Sequence, residues 1–201
     1  GPNLTERMLW FYHTHIPVIM TRISWNPQFA IDYLRLLRHY ALGSYKELIK
    51  AICIDNAMLI HLDGYLNIKS VPQENFGREF LELFTVGKGP EVALGDYTNF
   101  TEQDVKALTK VFTGWGIDTT FQTVDPITGI PTGRVNEDNN GNATQHDVTG
   151  KQFSPAFNNQ TIQTPNVANW TCPTASVYSE LSSAIDMVFS SVNTAKHIVR
   201  R

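Results

Sequence analysis

The sequence predicts a mainly α fold, a multi-helix orthogonal bundle with a small irregular β-hairpin and loop excursion after residue 114. Three observations predict it. Apolar residues recur at three- and four-residue spacing through most of the first 113 positions. Helix-start side chains and glycine stops cut that stretch into short segments. From Gly114 the composition turns to threonine, glycine and asparagine, and helical periodicity returns only near residue 175. With 201 residues, 42 % of them apolar, the chain can bury one sizeable core. The default is therefore a single domain over 1–201, with 114–174 as an irregular insertion within it.

Residues 4–15 carry apolar positions at helical spacing, and Pro17 ends that element by disfavouring helical geometry at Ile16. Asn26-Pro27 opens a second helix through Tyr40, stopped by Gly43. Ser44-Tyr45-Lys46-Glu47 fits a capping box, in which the serine covers a free amide and the glutamate reaches back; a third helix follows to Ile54. Asp55 caps a short helix over 56–62, stopped at Gly64, and "GYLNIKSVPQ" is a connecting loop. Glu74 to Val86 is helical and ended by Gly87. Thr101 starts a further helix whose apolar stripe is Val105, Leu108, Val111 and Phe112.

Beyond Gly114, "WGIDTTFQTV" is rich in threonine and aromatics, "DPITG" is a turn, and the glycine- and asparagine-rich 131–154 completes an irregular β-hairpin region. Residues 154–174 are polar and proline-punctuated, which predicts a long surface loop. Helices resume at 175–190 and 194–201.

A net charge of −3 gives no electrostatic footprint for nucleic acid or an anionic membrane. No stretch approaches the roughly 18 apolar residues of a membrane helix, and the N-terminus has no export-signal pattern. Gly1-Pro2 reads as the scar of a tag-cleaving protease, and "AKHIVRR" stops inside a predicted helix, so the expectation is a piece of a longer protein. Cys53 and Cys172 cannot build a disulfide framework or a zinc site. Cys53 reads as a small buried apolar residue, and whether the two pair is open. Walker loop, nucleophile elbow, dinucleotide fingerprint and H-E-x-x-H are all missing from the sequence.

Two groups of residues could carry chemistry. On a regular helix, Glu74, Asn75, Arg78, Glu79 and Glu82 share one arc of about 140°, opposite Phe76, Phe80, Leu81, Leu83 and Phe84. Glu74, Arg78 and Glu82 form an i,i+4 ladder. The arc is either a solvated face with weak salt bridges or, if other chain covers it, a buried network that must be paired or bind a cation. The second group holds candidate metal ligands. His13 and His15 diverge by about 200° on a helix and can share an ion only if the helix has already ended, which Pro17 allows. Otherwise they are core or capping histidines. His146-Asp147 lies in the irregular region, where loops present binding groups. "DNNGN" at 138–142 has its glycine misplaced for a calcium loop and lacks the closing glutamate, so it reads as a polar turn.

Taken in order, "FYHTHI", the run from Leu36 to Gly89, "YTNFTEQDVKALTKVFTGWGID" and "HDVTGKQF" closely resemble the bacterial family called domain of unknown function 1800. The resemblance spans residues 8–153 and resumes near "IDMVFSSVNTAKHIVRR". Asn67, Lys69, Pro72, Glu74, Asn75, Phe76, Arg78, Glu79, Glu82, Leu83, Phe84 and Gly87 match the family's central motif, as do His13 and His15 of its aromatic-histidine motif. Gln73 replaces a usual asparagine, Tyr12 a usual tryptophan and Thr14 a usual asparagine. The resemblance implies a longer, exported protein located in the periplasm, at the cell surface or secreted, with an exported sulfatase-like partner often encoded beside it. It implies no established activity. A motif that fixes so many polar identities makes a covered arc the expectation.

Two readings follow. In the first, the glutamate arc, His13 or His15 and His146-Asp147 converge on one cleft. Glu79 or Glu82 acts there as base or metal ligand, Arg78 as anion clamp and Asn75 as orienter, and one divalent metal ion assists hydrolysis of a phosphate, sulfate or glycan ester. In the second, favoured reading, the chain is a helical structural or binding module, its polar residues forming a buried network that holds the loop 64–73 and the "TGWG" turn.

Overall fold

The computed structural model describes residues 3–200. Gly1 and Pro2, read above as a scar, and Arg201 lie outside the described residues. The chain forms two compact units. The first runs to Tyr65 and takes in Gly116–Arg134; the second comprises Leu66–Trp115 and Val135 onward. The excursion expected over 114–174 is thus divided between them.

In the first unit, helix starts fall where short polar side chains can accept a free amide. Asn3 caps α1 (Leu4–His15) through the Glu6 amide at 3.1 Å, and α2 (Met20–Ile23) is a single turn that the sequence did not signal. Asn26 caps α3 (Pro27–His39) at Gln28, Ser44 caps α4 (Tyr45–Ile52) at Glu47, and Asp55 caps α5 (Asn56–His61) at Met58. The core of this unit gathers Tyr12, Ile16, Phe29, Tyr33, Leu37, Leu48, Ile52 and Leu59. The Tyr33 hydroxyl donates to the Ile16 carbonyl, so the end of α1 is pinned to α3. Residues 116–134 dock on the α4–α5 junction. The Gly133 amide and the Thr132 hydroxyl both donate to the Ile54 carbonyl at 2.7 Å, and the Asp118 amide donates to Asn56 at 2.8 Å. A Cβ at Gly133 would stand 2.8 Å from the Ile54 carbonyl oxygen and 2.9 Å from that of Gly116, so only glycine fits this approach.

In the second unit, α6 (Asn75–Glu79) runs directly into a wider π-helical turn, Phe80–Phe84. Thr85 closes it by donating its hydroxyl to the Phe80 carbonyl at 2.7 Å, and the Gly87 amide reaches the Leu81 carbonyl at 2.9 Å. Phe76 stacks on Phe112, the residue that caps the C-terminus of α7 (Glu102–Val111), with centroids 4.9 Å apart, and Phe80 meets the same ring edge-on. Gly77 lets α6 approach α7, since a Cβ there would already be 3.2 Å from the Thr109 amide and the Val105 carbonyl. Thr101 and Asp104 form a reciprocal capping box on α7. Asp104 also accepts the amide and hydroxyl of Ser154, at 2.8 and 2.6 Å, which fixes the loop that follows Lys151–Gln152. Helices α8 (Thr174–Ser190) and α9 (Val192–Val199) close the unit.

The mainly α bundle expected from sequence is corrected. Helix makes up 47 % and strand 12 %, so the content is mixed α/β with several small sheets. Glu91–Ala93 pairs with Asp96–Tyr97, Asn142–Ala143 with Cys172–Pro173, and Lys151–Gln152 with Thr161–Ile162, all antiparallel. The expected surface loop 154–174 therefore contributes two strands and a helical turn, Pro155–Phe157. Strands of two or three residues carry no apolar alternation long enough to read, and the pairing of Asn142–Ala143 with Cys172–Pro173 joins positions far apart in sequence. Cys53 and Cys172 are both buried free thiols. No described helix is long and apolar enough to cross a membrane.

Candidate functional site

The polar arc of α6 is half exposed, which corrects the expectation of a covered network at this place. The Arg78 guanidinium forks onto Glu102 of α7, with Nη1 2.6 Å from Oε1 and Nη2 2.9 Å from Oε2, and its second contact is Glu74 at 3.3 Å. The side chains of Arg78 and Glu102 retain 31 % and 33 % of their exposure. The hydrogen bonds from Arg78 hold the Glu102 carboxyl below its ordinary range, and Glu102 in turn raises the guanidinium. Glu82 does not complete the ladder as a hydrogen-bond partner of Arg78; it pairs with Lys88 at 3.0 Å. The π turn explains this, because one extra residue per turn rotates position 82 off the line through 74 and 78. Glu79 is half-buried, and burial, with the Glu82 charge beside it, raises its pKa. Asn75 is exposed.

His13 and His15 lie in the first unit, on a helix that persists through both, so the two imidazoles diverge and share no ion. His15 folds back on its own turn, with Nδ1 2.6 Å from the Phe11 carbonyl and its ring against Phe11. His13 lies between Trp10 and Tyr33, and its Nδ1 is buried with no hydrogen-bond partner.

His146 and Asp147 are adjacent in sequence but do different things. Asp147 accepts the amide and hydroxyl of Thr149 at 2.8 and 2.6 Å; burial raises its pKa, but those hydrogen bonds outweigh it and the net shift is downward. His146 points inward and has no exposed side-chain surface. Its Nδ1 is 2.9 Å from the Thr113 carbonyl and its Nε2 is 3.2 Å from Glu180 Oε2. The other carboxylate oxygen of Glu180 lies 2.7 Å from the ammonium of Lys151, and both side chains are fully buried. Thr164 ties the group together, donating to Glu180 and accepting from Lys151 at 2.9 Å, and Lys151 also donates to the Asp147 carbonyl. Burial pulls the lysine pKa down, partly offset by the Glu180 charge. A buried cluster this closely paired is the form in which charge is tolerated inside a fold.

Among the described residues no group of three or more His, Cys, Asp or Glu side chains is gathered so as to hold a metal ion. The family model described as Protein of unknown function (DUF1800) matches residues 2–201. The chain belongs to that family. No curated protein and no solved structure matches it.

In this DUF1800 chain the loop 64–73 is tied to the "TGWG" turn by Asn67, a residue of the loop itself and not one of the arc expected to hold them. Its side chain donates to the Thr109 carbonyl at 2.8 Å and accepts the Gln73 amide at 3.0 Å, while its own carbonyl takes the Gly114 amide at 2.8 Å. Because Gln73 contributes its backbone here, its replacement of the usual asparagine leaves that hydrogen bond intact. Sequence reasoning missed Glu102, Lys151 and Glu180. Glu180 had a signal, since it stands on the same face of 175–190 as Val177, Leu181, Ala184 and Val188, where an unpaired carboxylate is costly. Glu102 had none, because a first-turn glutamate is ordinary helix chemistry.

Proposed function

We propose that this DUF1800 chain is part of an exported bacterial protein in which it acts as a structural and binding module. The observation that carries the reading is the closed His146–Glu180–Lys151 cluster, in which each charged or ring group already faces a protein partner and is shielded from solvent. A substrate could reach it only by opening the fold. Arg78, the candidate anion clamp, already has both terminal guanidinium nitrogens on Glu102. Resemblance to longer family members with export signals supports the location, and fractionation of the full-length protein in its host tests it.

Glu79→Ala in the full-length protein, read by thermal unfolding and by divalent-metal content, tests the module against the ester-hydrolase reading. A modest change in stability with unchanged metal content supports the module. A native-like melting temperature with loss of a stoichiometric metal ion overturns it.

A further inference from the structure

The buried cluster of Lys151, Glu180, His146 and Thr164 orders its hydrogens in a way that an ion pair alone does not require. Lys151 donates twice, to the Asp147 carbonyl and to the Thr164 hydroxyl at 2.9 Å. Its third contact, 2.7 Å from Glu180 Oε1, lacks hydrogen-bond geometry, and that oxygen accepts no hydrogen bond among the described residues. Two hydrogens on Nζ therefore satisfy its neighbours, and the direction facing Glu180 is left to a lone pair. Burial acts in the same sense by pulling the lysine pKa down.

The far side of the carboxyl group has a proton beside it. Thr113 sends its hydroxyl hydrogen to the Lys110 carbonyl, so both Thr113 oxygens can only accept from His146, and a ring hydrogen sits on Nδ1. His146 Nε2 then faces Glu180 Oε2 at 3.2 Å, where two lone pairs would repel, so a proton lies between them. Thr164 joins the two ends, accepting from Nζ and donating to the same Oε2.

We propose that Lys151 and Glu180 condense spontaneously to an intramolecular isopeptide bond, a covalent cross-link between the strand Lys151–Gln152 and α8. Nζ attacks Glu180 Cδ and the C–N bond forms. Oε2 takes the proton held against His146, and a second proton passes to it from Nζ through Thr164. The Cδ–Oε2 bond breaks and Oε2 leaves as water, so no oxidant or further reactant is needed. Holding amine and carboxyl in contact replaces the encounter that amide formation needs in solution. The inference rests on the closed cluster of the module reading. An ion pair and an amide brace the same two segments, so stability does not separate them, but mass does.

Mass spectrometry of the purified chain after overnight incubation, intact and after tryptic digestion in denaturant, tests it. The expected intact mass is about 18 Da below that of the sequence, the loss of one water. Cleavage after Lys151 should disappear, so that residues 135–196, which contain no other lysine or arginine before Lys196, are released as one peptide lighter by the same amount. Lys151→Arg should restore the full mass of its own sequence and cleavage at 151, and neither reading depends on how well that variant folds. A chain of full mass cut after Lys151 overturns the proposal and leaves the module reading standing on its ion pair. A water loss that maps elsewhere, such as to Asp63-Gly64, or that persists in Lys151→Arg, overturns it as well.

Discussion

Arg78 and Glu102 are joined by two hydrogen bonds, at 2.6 and 2.9 Å, that lock α6 to the first turn of α7. The pair keeps about a third of its exposure, which places it between surface salt bridges and buried ones. A double-mutant cycle with Arg78→Ala and Glu102→Ala should give a coupling of about 1 kcal/mol in urea unfolding, reduced at high salt. A coupling that salt leaves unchanged would contradict the half-exposed geometry. Adding Glu82→Ala should leave the coupling as it was, because that carboxylate pairs with Lys88.

Asn67 is fully buried and satisfies groups on three segments. Asn67→Ala leaves the Gln73 amide and the Thr109 carbonyl without it. Each buried polar group left without a partner costs about 1–3 kcal/mol, so the loss should exceed that of a surface substitution severalfold. Urea denaturation measures it, and hydrogen exchange should quicken first at Gln73.

Asp55 gives the first unit a pH dependence. Burial raises its pKa from the ordinary 3.8 to about 7, despite the helping amides of Met58 and Ala57. Between those values the unfolded chain has released the proton that the folded chain keeps. Stability from this group is therefore complete below the lower value and is lost as pH rises to the upper one, by up to about 4 kcal/mol. Asp55→Asn keeps an acceptor for the Met58 amide and should remove that slope. Parallel stability profiles for the two proteins from pH 4 to 8 would contradict the assignment.

The legible parts of the fold are those set by local chemistry. Asn26, Ser44, Asp55 and Thr101 each mark a helix start, because a capping side chain acts within three residues of itself. An α period puts Glu82 in line with Glu74 and Arg78, but the chain makes a π turn over Phe80–Phe84 and carries it off that line. Lys151 and Thr164 gave no signal; a buried lysine reads as a surface one until a carboxylate from a distant helix is brought to it. His146 was singled out for its chemistry, and its partner Glu180 was visible as a charge on an apolar face.

The central claim is that His146, Lys151 and Glu180 of the second unit are internal structure, and the Lys151–Glu180 contact tests it most directly. Urea unfolding of Lys151→Met, Glu180→Gln and the double variant is the measurement. Each single substitution strands a buried charge and should cost about 3–5 kcal/mol. The double variant leaves a neutral amide that still meets His146 and Thr164, so it should be more stable than the sum of the singles by about 2 kcal/mol or more. Single variants within about 0.5 kcal/mol of the parent, with additive effects, would show that the cluster does not hold this unit together.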